Sequence, residues 1–324
     1  MIGTVGTHDQ SGLEHPAFLY ESVDDFLGLM VPFVTGGLDS GEPVFVAAKA
    51  GNLAALRAEI GEHGAAVRWA DAQDWHPHPG RRLRAFHELV TDGLRAGARR
   101  VRLVGEPVWP PGAPELVLEW QRYESVLNVV LGPFPVTLVC LYDASGLDSE
   151  LVTTAQRTHP TISRGGPDQP STEFEQPEDF LSRCTPELAA PPPWAARMTD
   201  PPDLVSCRRF LTDRALLAGV DPQRAMDLSV AANEVLTNAM VHGHGTASLS
   251  AWTDGDRFVC QIQDHGGRLT DAVTGYRPPE AERGSGRGLW IVRQLVDLLQ
   301  IVPGGPGMTV RLHVTLDPDG HQAR

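Results

Sequence analysis

A proline-rich segment, Arg164 to Asp203, constrains the fold of this chain more than any other feature of its sequence. It contains nine of the 27 prolines, three of them in succession. Proline removes a backbone donor and clashes with the preceding helical turn, so this segment cannot form one continuous helix. We therefore interpret residues 164–203 as an extended linker with one short helix at about Glu178 to Arg183. The 324 residues are enough for a folded domain on each side.

Apolar runs and helical patterns alternate before the linker, in residues 15–163. The runs Val44–Ala47, Val101–Val104 and Val136–Tyr142 predict buried strands. A helix is predicted to begin after Ser22 and to end at Gly36-Gly37. Strands that alternate with helices are typical of a parallel sheet with right-handed crossovers. The sequence therefore predicts an α/β domain here.

Residues 204–318, after the linker, show a different order of elements. Two helices are predicted first, over Leu204–Ala218 and Asp221–His242. Two strands of alternating polarity follow, and Asp254-Gly255 between them indicates a hairpin. A third helix is predicted over Leu289–Leu299 and a last strand at about Val310–Val314. This order predicts an α+β sandwich.

The charge of the chain excludes several classes of function. Lys+Arg total 27 against Asp+Glu 41, a net charge of -14, so the chain should repel nucleic acid and anionic membranes. Lys49 is the only lysine. Its neighbours match neither a Walker A loop nor the strand that carries the phosphate-binding lysine of protein kinases. The four cysteines show no C-x-x-C spacing, and no apolar run has the length of a membrane span. We expect a cytoplasmic protein with no nucleic-acid or membrane partner.

The residues that could bind a ligand or take part in a reaction lie in the C-terminal region. Glu234 and Asn238 are four apart, so they share one face of the second predicted helix. Asp264 ends a predicted strand before Gly266, where its carboxylate could accept a hydrogen bond from an exocyclic amine such as that of adenine. Gly284, Gly286 and Gly288 lead into the third predicted helix. Glycines in this position let the backbone amides of the helix approach an anion. Taken singly, each motif also fits a surface pair, a tight turn or a flexible loop.

In their order and spacing these motifs resemble the nucleotide-binding domain of the GHKL (Bergerat-type) ATPases. That family includes gyrase B, heat-shock protein 90, sensor histidine kinases and anti-sigma-factor serine kinases. The motifs that carry the resemblance are Glu234-x-x-x-Asn238, Asp264-x-Gly266, Gly284-x-Gly286-x-Gly288 and Gly307-Met308-Thr309. It implies ATP and Mg²⁺ as cofactors.

The resemblance also implies a role for each matching residue. Glu234 would be the general base, and Asn238 would bind the Mg²⁺ that bridges the phosphates. Asp264, helped by Gly266, would bind the adenine amine. The remaining residues implied at the nucleotide are Gly284, Gly286, Arg287, Gly288, Leu289 and Thr309. Arg268 departs from the family pattern because it replaces the second glycine of D-x-G-x-G, which puts nucleotide affinity in question.

The compact form of this region most resembles the anti-sigma-factor serine/threonine kinases. These enzymes phosphorylate a Ser or Thr of an anti-sigma-factor antagonist of the STAS type, and some also bind a sigma factor. The resemblance implies those partners, and it is compatible with a homodimer. A non-catalytic ATP-binding latch that acts through protein contact remains an alternative. A histidine kinase is disfavoured, because the sequence has no histidine between Pro160 and Val241.

The N-terminal region resembles the MEDS sensory domain, whose fold is similar to that of RecA-like ATPases. The motifs are His15–Tyr20, Gly41–Val44, Glu119-Trp120 with Tyr123-Glu124, and Cys140–Asp143. The resemblance implies that residues 15–163 sense a small molecule. Candidate sensing residues are His15, Tyr20, Cys140 and His159, although a role in core packing is an equal alternative for each. The combination of the two domains resembles stress-response regulators of the RsbA type.

Overall fold

The computed structural model describes residues 12–199, 203–242, 247–264, 266, 271–279, 287–304 and 307–316. The chain divides into two compact units between Phe180 and Leu181. Each unit has its own sheet and its own hydrophobic core. Among the residues that the structure describes, every helix is too short or too polar to cross a bilayer.

The first unit alternates strands and helices around a largely parallel sheet. The strand order is β4-β3-β5-β6-β2-β7-β8, with β1 also paired to β6, and among the described strands only β7 and β8 form an antiparallel pair. The predicted parallel α/β domain is therefore confirmed. The elements are β1 Leu13–Glu14, β2 Pro16–Tyr20, α1 Val23–Asp39, β3 Val44–Ala48, α2 Ala50–Ile60, β4 Arg68–Asp71, α3 Pro79–Arg95, β5 Val101–Gly105, α4 Pro114–Val130, β6 Val136–Asp143, α5 Ser149–Thr158, β7 Thr161–Ser163 and β8 Gln169–Pro170.

Helix α1 begins where the sequence predicts but ends later. The Ser22 hydroxyl accepts a hydrogen bond from the Asp25 amide at 3.1 Å, which caps the first turn. The predicted end at Gly36-Gly37 is wrong, because the helix continues to Asp39. A Cβ atom on Gly37 would lie 2.7 Å from the Arg102 side chain and 2.9 Å from Val44. The glycine therefore allows the helix to pack closely against the sheet and does not end it.

The second unit is an antiparallel sheet with helices packed on it. The strand order is β12-β13-β11-β10-β9, and every neighbouring pair is antiparallel. The predicted α+β sandwich is confirmed. The elements are β9 Ala196–Thr199, α7 Leu204–Leu217, α8 Pro222–His242, β10 Ala247–Asp254, β11 Arg257–Asp264, α9 Arg287–Leu295, β12 Leu298–Gly304 and β13 Gly307–Thr315, while α6 Pro177–Arg183 spans the division between the units.

Helix α8 supplies one apolar stripe to the core of this unit. The stripe consists of Ala225, Leu228, Ala232, Val235 and Ala239, and each is less than 5% exposed. Residues three and four apart lie on the same side of a helix, so this spacing turns one side of α8 toward the sheet. The stripe packs with alternate residues of the strands in one core cluster.

The predicted helix over Leu289–Leu299 is wrong in its second half. Helix α9 ends at Leu295, and Leu298 begins β12, where it pairs with His313 of β13. Arg224 stabilises the helix end, because its guanidinium donates to the Leu295 carbonyl at 2.8 Å and to the Asp297 carboxylate. Asp297 also accepts from the Thr315 amide at 2.8 Å. These contacts fix the turn from helix to strand.

The proline-rich segment contains regular structure at several points. Strand β8 pairs with β7, helix α6 occupies the position of the predicted short helix, and β9 pairs with β10 at the sheet edge. Strand β9 was not predicted. The assignment of residues 15–163, 164–203 and 204–318 as domain, linker and domain stays a prediction.

Replacement of Leu228 by alanine should cost the second unit about 2–5 kcal/mol of unfolding free energy, because the side chain is fully buried in α8. The matched control is Met226→Ala on the same helix, since that side chain is 60% exposed and should change stability by less than about 0.5 kcal/mol. Urea unfolding followed by tryptophan fluorescence compares the two variants. Equal losses would contradict the assigned orientation of α8.

Candidate functional site

Glu234 and Asn238 lie one turn apart on α8, beside its buried stripe, and both are half-buried. The first turn of α9 lies directly against them. A Cβ atom on Gly288 would be 2.9 Å from Oε2 of Glu234 and 3.6 Å from Nδ2 of Asn238. Because Gly288 has no side chain, the backbone of α9 can approach both polar groups. The structure thus brings these three predicted residues together.

The start of α9 presents backbone amides near this pair. The first amides of a helix have no intrahelical partner, and the helix dipole makes this end positive. Arg287 is exposed, whereas Leu289 is buried and packs against Gly275, whose φ of +81° only glycine adopts readily. The backbone amide of Leu289, and not its side chain, is therefore suited to bind an anion. Gly275 was not among the predicted site residues.

Asp264 ends β11 and is only 5% exposed. Its Oδ1 atom accepts hydrogen bonds from the Gly266 amide at 3.2 Å and the Met308 amide at 3.1 Å. Thr309 pairs with Gln263, the residue before Asp264, across β13 and β11. The carboxylate is therefore held in one orientation at the end of two neighbouring strands.

Gly307 makes this arrangement possible. Its φ is +118°, and a Cβ atom there would lie only 2.1 Å from the carbonyl oxygen of Asp264. The sequence motif contained Gly307 and Met308, but neither was assigned a role. Their position directly before Thr309 was the signal that pointed to them.

The two groups of predicted residues belong to the same unit, because α8 packs against α9, β11 and β13. Three predictions lie outside the described residues: Gly284, Gly286 and the substitution at Arg268. The polar groups of the described residues fit a nucleotide bound together with Mg²⁺. Asn238 offers an amide oxygen of the kind that Mg²⁺ binds, α9 offers amides for phosphate, and Asp264 offers a carboxylate for an exocyclic amine.

The first unit brings three of the four predicted sensing residues into one buried cluster. His15, Cys140 and His159 lie together with Glu124, and one potential ligand atom from each falls within 4.8 Å of the others. All four side chains are buried. Burial lowers the pKa of His15 and raises the pKa of Cys140, so both groups are uncharged at neutral pH. Glu124 was not predicted, although it belongs to the Tyr123-Glu124 motif.

Tyr20, the fourth predicted sensing residue, belongs to a different network. Its hydroxyl donates to Glu106 Oε1 at 2.9 Å and accepts from the Asn52 amide at 2.9 Å. Glu106 is buried, and it also accepts from the backbone amide of Lys49 at 2.8 Å and pairs with the Lys49 ammonium at 3.2 Å. Burial and the nearby carboxylate raise the pKa of Tyr20, so the phenol keeps its proton.

Family models match both parts of the chain. Residues 14–160 match MEDS, described as the MEthanogen/methylotroph, DcmR Sensory domain, and residues 198–314 match the histidine kinase-like ATPase domain HATPase_c_2. The chain joins a MEDS domain to a histidine kinase-like ATPase domain. The ATPase domain implies nucleotide binding, and Mg²⁺ is typical of its family.

Three solved structures show a distant similarity to the chain. The RsbU and RsbW domains of a Mycobacterium tuberculosis protein are 19% identical, with a TM-score of 0.29, and the match covers 39% of this chain and 32% of that one. The SiaB–SiaC complex from Pseudomonas aeruginosa is 15% identical, with a TM-score of 0.31, and the match covers 37% of this chain and 88% of that one. The histidine kinase domain of the E. coli osmosensor EnvZ is 19% identical, with a TM-score of 0.24, and the match covers 35% of this chain and 89% of that one. The match spans about a third of the first of these. No curated protein matches the chain.

Replacement of Gly307 by alanine should destabilise the second unit more than replacement of Gly255. Both glycines have positive φ, but nothing lies within 4 Å of a Cβ atom on Gly255, whereas one on Gly307 collides with Asp264. Gly307→Ala should therefore cost about 1–3 kcal/mol beyond Gly255→Ala. Urea unfolding of the full chain measures the difference. Equal costs would mean that the backbone of Asp264 does not approach Gly307 this closely.

Proposed function

We propose that this protein is an anti-sigma-factor regulator. Its ATPase domain binds Mg-ATP and phosphorylates a Ser or Thr of an anti-sigma-factor antagonist of the STAS type, and its MEDS domain controls that activity in response to a signal. The observation that carries the proposal is the contact of Glu234 and Asn238 with the first turn of α9. It is supported by the family model, which matches this part of the chain. We place the reaction in the cytoplasm, where ATP and sigma factors occur.

The residues of α8 would act on the phosphate end of the nucleotide. Bound Mg²⁺ neutralises phosphate charge, and the Asn238 amide oxygen would be its protein ligand. Glu234 would accept the proton of the attacking Ser or Thr hydroxyl. The amides at the start of α9, including those of Gly288 and Leu289, would hold phosphate oxygens. Most of the rate enhancement in phosphoryl transfer comes from such positioning and charge stabilisation.

Asp264 would select the base. Its Oδ1 atom is held by two backbone amides, so the carboxylate is oriented before the nucleotide arrives. A fixed acceptor of this kind suits the exocyclic amine of adenine. Gly266, whose amide donates to Asp264, and Thr309, which follows Met308, would complete the base pocket.

The alternative function is an ATP-dependent latch that controls its partner by contact and transfers no phosphate. The outer side of α8 favours a protein contact, because Met226, Val230 and Met240 are each at least 50% exposed. The antagonist, a sigma factor or a second copy of the chain are the partners that we propose for it. A histidine kinase remains the least favoured function, because the sequence between Pro160 and Val241 has no histidine to accept phosphate.

Replacement of Glu234 by glutamine should abolish transfer and leave ATP binding nearly intact. Loss of a general base typically lowers the rate by about 10²–10⁴-fold, whereas glutamine preserves the shape beside Gly288. The assay uses radiolabelled ATP and the antagonists encoded near the gene, with calorimetry for ATP binding. Asp213→Asn on α7 is the control, since that carboxylate is 62% exposed and should leave both readouts unchanged.

Two other outcomes of the same assay are informative. Unaltered transfer by the Glu234→Gln protein would remove the general-base role. If the wild-type protein binds ATP and changes its affinity for an antagonist but transfers no phosphate to any of them, the latch is the correct function.

Replacement of Asp264 by asparagine should weaken ATP binding by about 1–3 kcal/mol, since a buried polar contact is mispaired. Asparagine keeps one oxygen for the Gly266 and Met308 amides but replaces the other oxygen by a donor, which opposes the adenine amine. Asp256→Asn is the matched control, because its side chain is 77% exposed at the hairpin turn. Calorimetry measures the ATP affinity of both variants, and an unchanged affinity of the Asp264→Asn protein would exclude the adenine role.

A further inference from the structure

The buried cluster in the MEDS domain has the composition of a metal site. His15 precedes β2, Glu124 lies on α4, Cys140 lies on β6 and His159 follows α5. The four side chains are 0–3% exposed. One nitrogen, sulfur or oxygen atom from each falls within 4.8 Å of the other three, so the four groups are close enough to share one ion.

The backbone fixes the tautomer of His159. Its Nδ1 atom lies 2.9 Å from the Ala155 carbonyl, which can only accept a hydrogen bond, so Nδ1 carries the proton. The other ring nitrogen, Nε2, faces Oε2 of Glu124 at 3.4 Å. A ring nitrogen and a carboxylate oxygen in this position are held together by a cation or a proton between them.

Asn128 fixes the tautomer of His15 in the same way. The Asn128 amide nitrogen donates to the carbonyls of Ser125 at 3.1 Å and Thr158 at 2.8 Å, which defines the orientation of the amide. Its oxygen therefore accepts from Nδ1 of His15 at 3.0 Å. The Nε2 lone pair of His15 points at the Cys140 sulfur, 3.3 Å away.

Both imidazoles thus have the arrangement found in metal sites, where one ring nitrogen donates to an oxygen and the other binds the metal. Neither Oε2 of Glu124 nor Nε2 of His159 has a hydrogen-bond partner within the described residues. Buried polar atoms are nearly always satisfied, so such an orphaned pair needs an explanation. An ion between the four ligand atoms would satisfy both.

We propose that His15, Glu124, Cys140 and His159 bind one divalent transition-metal ion. Two imidazole nitrogens, one thiolate and one carboxylate form a mixed set suited to Zn²⁺ or a similar borderline ion. The thiolate and the carboxylate balance the two charges of the ion, which favours its binding in a buried site. On binding, the metal–sulfur bond replaces the S–H bond, and the thiol proton is released to solvent.

The first test is a titration of the untagged full chain, stripped of metal by a chelator, with Co²⁺. We expect one Co²⁺ per chain, visible ligand-field bands of a tetrahedral complex, and a thiolate-to-cobalt charge-transfer band in the near ultraviolet. Added Zn²⁺ should displace the cobalt and remove the bands. No uptake of either ion, or uptake without a charge-transfer band, would overturn the proposal.

Cys140→Ser should lose the charge-transfer band. The matched control is Cys260→Ser, another fully buried cysteine, which lies in the second unit and should keep the band unchanged. His159→Gln should lower cobalt affinity at least tenfold. A band that survives Cys140→Ser, or that Cys260→Ser also removes, would refute the assigned ligands.

A variant outside the ligands keeps the test valid if a ligand variant fails to fold. Asn128→Ala removes the group that orients His15 and leaves all four ligands in place, so it should weaken cobalt binding by about 10–100-fold. Circular dichroism confirms the fold of each variant. An unchanged cobalt affinity in a folded Asn128→Ala protein would count against the proposed geometry.

Discussion

Helix α8 can bury only one side against the antiparallel sheet, and this constraint positions the chemistry of the second unit. Glu234 precedes Val235, and Asn238 precedes Ala239, so each polar residue lies at the edge of the buried stripe. That edge is where α9 crosses. Without a side chain at Gly288 the two helices approach until the backbone of Gly288 lies against the polar pair. Packing of apolar residues therefore determines where the carboxylate and the amide meet the helix end.

Elements set by local sequence could be predicted, and elements set by distant pairing could not. The stripe of α8, the cap at Ser22 and the hairpin at Asp254-Gly255 each depend on neighbouring residues, and Gly255 has the positive φ that the turn needs. Strand β12 was missed because its leucines continue the apolar pattern of α9. Only its pairing with β13 decides that Leu298 is in a strand.

The candidate sites show the same division. The resemblance to known ATPases identified Glu234, Asn238 and Asp264, but no local pattern indicates that Gly307 must approach Asp264. The hydrogen bond from Met308 to Asp264 spans 44 positions in the sequence. In the first unit His15 and Cys140 are 125 positions apart. The parallel sheet brings such positions together through its crossovers, and the sequence alone does not give the register.

Two buried carboxylates of the MEDS domain, Glu106 and Glu124, differ in their surroundings, and the difference explains why the first has a structural role and the second is suited to bind an ion. Glu106 accepts hydrogen bonds from Tyr20, Asn52 and the Lys49 amide and lies beside an ammonium group, so its charge is satisfied. Oε2 of Glu124 faces Nε2 of His159, and neither atom has a hydrogen-bond partner within the described residues. A charge in that position is costly in a low-dielectric interior unless a cation shares it. An ion that binds the folded domain and not the unfolded one stabilises the fold according to its concentration, so occupancy of the cluster would give this domain a physical means of sensing a metal.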